Sequence, residues 1–249
     1  MASLKTDRAR FENRILDTLP EKGYQRFFSK TQRVSLPDRH VVFEQGRPIH
    51  FVYFPVTAVI SLLSAGEEGR RGVEVCTVGN EGFVGLPVSF DGDFSLGRAV
   101  VQLPRTAVRV EAHTFKDALK GDGPLDGILK RYTQVQVSSI MRGAFCINFH
   151  KMDARFARLL LLRHDNARAD TFPLTQGFAA YLLGSHRPAV SVAANALQAA
   201  GLISYRQGKI TVLDRQGLHA AACECYSFGA REYERLLGDL LARRGSVGI

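Results

Sequence analysis

The stretch LTQGFAAYLLGSHRPAVSVAANALQAAGLISYRQGKITV, residues 174–212, gathers side chains suited to gripping a nucleic-acid duplex. Arg187 can place two parallel N–H donors on guanine O6 and N7, a pairing that discriminates between bases by roughly 1–3 kcal/mol. Ser191, a turn further along the same segment, joins it as a base-reading candidate. Thr175, Gln176, Ser185, His186, Arg206 and Lys209 offer hydroxyl, amide, imidazole and cationic groups to phosphate oxygens. Such contacts fix register without reading sequence.

These groups act only if short elements hold them. Thr175 precedes an apolar-periodic run with Phe178, Leu182 and Leu183 on one face, and it can cap that run. Ala179 and Ala180 are small enough for a second helix to cross closely. Gly184 ends the run, as a residue able to take positive φ. Ser185 or His186 starts the next segment, and Pro188 falls in a first-turn position where its missing N–H is not needed. Val190, Ala193, Ala194 and Leu197 are expected to face a core, while Arg187, Ala189, Ser191 and Val192 fall near the exposed N-terminal end. Gly201 stops this helix, and LISYRQGKITVL alternates about Gln207-Gly208 as a hairpin. The pattern is a helix-turn-helix followed by a β wing, a geometry in which the second helix enters the major groove. A plain αα-hairpin with surface charges is the simpler alternative; the wing combined with an arginine at the helix entrance argues against it.

Composition is compatible with a polyanionic partner. The chain of 249 residues carries 33 Lys+Arg against 24 Asp+Glu, a formal charge of +9. Clustered cations on a duplex release counterions and so bind. The excess is spread, however, with +5 in residues 150–249 and +4 in the rest, so placement must carry the argument. No apolar run reaches membrane-spanning length, and the charged opening MASLKTDRARFENRIL lacks the apolar centre of a secretory signal. The expected location is cytoplasmic, with no membrane partner. Cys76, Cys146, Cys223 and Cys225 make no disulfide framework in a chain this size. Cys223-Glu-Cys225 is neither a zinc knuckle nor a CxxC redox pair, so buried structural thiols are expected, with no metal and no cofactor.

The remaining organisation is α+β. Residues 3–28 are apolar at Phe11, Ile15, Leu19 and Phe27–Phe28, which predicts an N-terminal helical segment over 1–28. From Arg33 to Val110 short β-branched and aromatic runs alternate with Gly, Pro, Asn and Asp, predicting a β barrel or sandwich domain over 29–115. HTFKDALKG reads as a short helix. Val137, Met141, Phe145, Phe149, Met152, Phe156 and Leu159 then recur at helical steps, which predicts one long helix ending near His164 within a connecting segment, 116–164. Its stripe fits either an interdomain strut or, preferably, a dimer seam through Val137, Met141, Phe145, Phe149 and Met152. A DNA-binding domain over 165–228 and a helical tail over 229–249 complete the expected division.

The order of these parts resembles the Crp/Fnr family of bacterial transcription regulators. The residues carrying the resemblance are LTQGFAAYLLGSHRPAVSVAANALQAAGLISY with GKITVLDRQGL, together with CINFHKMDARFARLLL and VGNEGFVGL. The resemblance implies an N-terminal double-stranded, jelly-roll-like β-roll of the cyclic nucleotide-binding type, a long dimerisation helix and a C-terminal winged helix-turn-helix. It implies a homodimer on a palindromic double-stranded operator, with RNA polymerase as a further partner if the protein activates. Of the family's recognition contacts the Arg carries over to Arg187, whereas a frequent Glu is Pro188 here and a further Arg is Val192. In members that bind cyclic AMP, a Gly-Glu pair holds the ribose, an Arg-Ser pair the phosphate, and polar residues on the long helix the purine. The matching effector-pocket positions are Gly85-Leu86, Gly97-Arg98 and Ile140-Met141. Leu86 cannot accept a ribose hydrogen bond, Arg98 is one residue out of register, and Ile140 and Met141 cannot read a base. Control by cyclic AMP is therefore not expected.

Iron–sulfur and haem sensing are not expected either. No Cys precedes Cys76, and nothing singles out His40, His50 or His113 as an axial ligand. Catalysis is not expected, since no GxSxG, P-loop, HExxH or Cys/His pairing stands in a plausible frame. Asp91/Asp93 and Glu67/Glu68 read as solvated turn charges. The alternative function is a ligand-binding regulatory module acting through a protein partner, with little or no DNA readout.

Overall fold

The computed structural model describes residues 13–19, 27, 29–66, 71–120, 124–167 and 169–245. Most of the expected N-terminal helical segment, and Glu67 and Glu68, lie outside them. Within that segment α1 (Arg14–Asp17) is capped by Asn13, whose side chain accepts from the Ile15 and Leu16 amides and donates to Pro55 and Gly82 carbonyls.

Seven strands follow: β1 (Thr31–Leu36), β2 (Val41–Phe43), β3 (Phe51–Pro55), β4 (Val59–Ala65), β5 (Gly72–Val78), β6 (Arg98–Leu103) and β7 (Arg105–Glu111). They form two antiparallel sheets, ordered β1-β7-β3 and β2-β6-β4-β5. The core of this β-roll includes Val52, Phe54, Phe83, Val101 and Phe115, with Phe54 and Phe83 stacked at 5.7 Å between centroids. Each buried aromatic of this size contributes roughly 1.5–3 kcal/mol. Asp93 is an exposed turn charge, and it pairs with Lys116 of α2 (Ala112–Leu119) at 2.8 Å.

The segment expected to be one long helix is two. α3 (Pro124–Phe149) and α4 (Met152–Ala167) are separated at His150–Lys151. The apolar spacing runs through this break because each helix has its own apolar face, uncovered on α3 and packed on α4. The first half of α3 buries Leu125, Ile128, Leu129 and Tyr132 in the β-roll core. Its second half leaves Val137, Ile140, Met141, Phe145 and Phe149 uncovered, with Met141 and Phe149 exposed at 69% and 73%. Met152 belongs to neither group; it is partly buried against the second core.

That second core joins the β-roll to the C-terminal domain. Val59, Leu63, Val100 and Leu103 pack with Phe156, Leu159 and Leu160 of α4 and with residues of the helix-turn-helix. A third sheet, ordered β8-β10-β9, comprises β8 (Thr171–Pro173), β9 (Ile203–Arg206) and β10 (Lys209–Val212). After α7 (Arg215–Ala221), helix α8 (Cys225–Gly245) runs back along α3, placing Tyr233 and Leu237 in the first core. The described part of the tail thus braces the β-roll.

Candidate nucleic-acid interface

Helix α5 (Gln176–Leu182) begins at Thr175, whose Oγ1 accepts from the Phe178 amide at 3.2 Å. It ends in a Schellman turn, with the Gly184 amide on Tyr181 O and the Ser185 amide on Ala180 O. Gly184 has φ +59°, and a Cβ there would stand 2.9 Å from the Val73 side chain of β5. The turn therefore requires glycine twice, for its backbone and for its close approach to the β-roll.

His186, in extended conformation, caps α6 (Arg187–Ala199) without a side-chain bond, and Pro188 sits in the first turn. The buried face is Val190, Ala193, Ala194 and Leu197, as the periodicity predicts. The opposite face presents Arg187, Pro188, Val192, Asn195 and Ala196 to solvent. α6 closes in a second Schellman turn at Gly201, φ +72°. The wing turns at Gln207 (φ +50°) and Gly208 (φ +74°), both left-handed as a type I′ hairpin demands. Arg206 and Lys209 flank it as an exposed cross-strand pair.

Gln176 joins these pieces. Its Oε1 accepts from Ser191 Oγ at 2.6 Å and from Arg187 Nε at 3.5 Å, and the Tyr205 hydroxyl of β9 meets its backbone amide. The first turn of α5, the entrance of α6 and the wing are thereby held as one surface. Ser191 is half-buried and engaged, while Arg187 keeps its exposure. Ser185 is half-buried in the turn, whereas His186 is exposed. Arg39 from the β-roll donates to Thr175 Oγ1 at 3.3 Å and lies 5.2 Å from the Phe178 ring centre, adding an unforeseen cation. Between Leu174 and Val212 there is no Asp or Glu, so Arg187, Arg206 and Lys209 have no acidic neighbour within this segment. That absence was readable in the sequence. So was Asn195, one turn beyond Ser191 on the same face, an amide able to pair with adenine N6 and N7.

The six effector-pocket positions lie in the β-roll and on α3. A Cβ at Gly85 would stand 3.1 Å from Val52 Cγ2, and one at Gly97 would stand 2.6 Å from Leu63 O. Leu86 packs on the first core. Arg98 pairs with Glu44 at 3.2 Å and donates to the Tyr181 hydroxyl of α5 at 3.3 Å. Ile140 and Met141 lie on the uncovered stripe of α3. None of the six lines the cleft of about 810 Å³ bounded by Cys76, Tyr132, Gln136, Asp165, Tyr226 and Tyr233.

The cysteines divide unexpectedly. Cys76 stands apart on β5, its thiol pushed up to about 12 by burial. Cys146, Cys223 and Cys225 come together with His150. Spacing within the Cys223-Glu-Cys225 segment gave no ligand set because the other donors arrive from α3 and the residue after it.

Residues 154–221 match the Crp-like helix-turn-helix domain family. No curated protein sequence matches the chain. Among solved structures, a protein described as a Crp/Fnr-family transcriptional regulator from Eubacterium rectale superposes with a TM-score of 0.69 at 16% identity, over 85% of this chain and 99% of that one. FixK2 from Bradyrhizobium japonicum gives 0.62 at 18% identity, over 78% and 98%. The c-di-GMP-responsive global regulator CLP from Xanthomonas campestris gives 0.59 at 16%, over 78% and 100%. Residues 154–221 therefore form a Crp-like helix-turn-helix domain. The chain as a whole has the fold of Crp/Fnr-family transcriptional regulators, as its sequence resemblance implied.

Proposed function

We propose that the protein is a sequence-specific DNA-binding transcriptional regulator that works in the cytoplasm as a homodimer and is not controlled by cyclic AMP. The observation that carries this reading is the outer face of α6. Arg187 can donate to a guanine edge, Asn195 can pair with an adenine edge, Val192 is apolar and suited to a thymine methyl, and residues 174–212 include no Asp or Glu. Arg206 and Lys209 of the wing, with Thr175, Gln176 and His186, supply backbone contacts that fix register. The exposed stripe Val137, Met141, Phe145 and Phe149 supports pairing of α3 with its copy, which would present two recognition helices to a palindrome.

Arg98 is engaged by Glu44 and Tyr181, Gly85 and Gly97 are packed against backbone or side chain, and Leu86 contributes to a core. These placements support a β-roll that serves as scaffold or answers a signal other than cyclic AMP. Any such signal acts by binding one arrangement of the recognition helices better than the other. Selection from a randomised duplex pool tests the reading. Enrichment of a two-fold symmetric sequence supports it; uniform binding of every duplex, with and without cyclic AMP, contradicts it.

A further inference from the structure

Cys146 ends the buried side of α3, and His150 follows one turn later; Cys223 and Cys225 flank Glu224 where α7 gives way to α8. Their donor atoms all lie within 4.8 Å of one another. Cys146 Sγ and Cys223 Sγ are 3.6 Å apart, and Cys225 Sγ and His150 Nδ1 are 3.7 Å apart. A tetrahedral ion with bonds of about 2.3 Å to sulfur and 2.0 Å to nitrogen puts its ligands roughly 3.5–3.8 Å apart. The three thiols are buried, at 2%, 6% and 5% exposure, and His150 is mostly covered.

His150 is also oriented as a ligand would be. Its Nε2 lies 2.9 Å from Glu224 Oε2, so Nδ1 faces the thiols, and Arg142 holds the same carboxylate at 3.2 Å. A carboxylate on the far nitrogen of a coordinating imidazole fixes its tautomer and raises its basicity. Arg142, Arg155 and Arg158 are close enough to the thiols to offset the charge of thiolates.

We propose that Cys146, His150, Cys223 and Cys225 form a mononuclear site for a zinc-class divalent cation. Three sulfurs and one imidazole select a borderline-soft ion over magnesium or calcium. The donors are too close together for an iron–sulfur cluster, whose ligands surround several irons. A Cys146–Cys223 disulfide would leave Cys225 and the Glu224-oriented His150 without a role. Binding releases the thiol protons to solvent and involves no electron transfer. The ion ties the end of α3 to the exit of the winged helix, so its occupancy fixes how the DNA-binding domain is carried.

The test uses the full chain, reduced, stripped with a chelator and titrated with Zn²⁺ and, separately, Co²⁺. One ion per chain, with the visible ligand-field bands of tetrahedral thiolate-bound Co²⁺, is expected for the wild type and for Cys76→Ser. Glu224→Gln should keep the site but weaken it about 10- to 100-fold. Cys225→Ser should lose a sulfur–cobalt charge-transfer contribution. Because the cobalt spectrum is read on the wild type, a variant that fails to fold does not decide the matter. Octahedral, weakly coloured Co²⁺, no stoichiometric uptake of Zn²⁺, or a Cys146–Cys223 disulfide that persists under reducing conditions would each overturn the site.

Discussion

Gly184 and Gly201 offer a controlled perturbation of the recognition unit. Both close a helix in the left-handed region, at φ +59° and +72°. Alanine at either position incurs about 1–2 kcal/mol for that backbone conformation. They differ in surroundings. At Gly201 an added Cβ meets nothing within 4 Å, whereas at Gly184 it stands 2.9 Å from Val73 Cβ and Cγ2 of the β-roll. Such a contact forces a shift, and overpacking of this kind typically costs about 1–3 kcal/mol. Gly201→Ala should therefore lower the melting temperature by about 2–8 °C, given roughly 2–4 °C per kcal/mol in a chain of this size. Gly184→Ala should lower it by about 4–20 °C, adding the two costs. Thermal unfolding followed by circular dichroism, at one protein concentration, reads the difference. Equal shifts for the two variants would refute the close packing of the helix-turn-helix turn on β5. No shift in either would refute the left-handed turns themselves.

Thr175→Ala removes the cap on the Phe178 amide and should cost about 1 kcal/mol in a denaturant melt, while Thr175→Ser should cost less. Placing glutamates at Met141 and Phe145 would set like charges on the exposed stripe of α3, and sedimentation equilibrium should show the proposed dimerisation weakened by at least roughly 100-fold, the equivalent of about 3 kcal/mol. Burial raises Glu74 above the usual carboxylate range, against hydrogen bonds from Ser61 and Thr77. A folded-state value above the unfolded one means that this group's contribution is fully present at pH below the unfolded value and is lost as pH rises through the raised one. Glu74→Gln should thus gain melting temperature relative to wild type on going from acid to mildly alkaline pH; parallel profiles would contradict the assignment.

Local pattern revealed the recognition unit because its determinants are local. Thr175 as cap, Gly184 and Gly201 as stops, Pro188 in a first turn and Gln207-Gly208 at the wing each dictate backbone within a few residues. What escaped is tertiary. His150–Lys151 contains no proline or glycine, so nothing in the sequence marks the break between α3 and α4. The stripe that appeared continuous is two faces, one left uncovered on α3 and one packed in the second core by α4, against which Met152 is partly buried. β8 is three residues long and gains its identity from pairing with β10. Cys146 and Cys223 are 77 positions apart, and only the return of the chain past α3 brings them within 3.6 Å. A Cys and a His four residues apart at the end of a helix, beside a distant Cys-x-Cys, was the available clue. Gln176 had the right chemistry for a backbone contact, but its second role, accepting from Ser191 and Arg187, depends on how α5 crosses α6.

Base reading through α6 is tested most directly by measuring Arg187→Ala and wild type on the selected operator and on scrambled duplex at two salt concentrations. The expected result is a loss of roughly 5- to 150-fold per half-site on the operator, the equivalent of about 1–3 kcal/mol. Affinity for scrambled DNA should change little, and the salt dependence should persist because the wing and backbone contacts remain. An equal loss on both duplexes would mean that Arg187 only neutralises phosphate. Unchanged operator binding would contradict the placement of α6 in the groove.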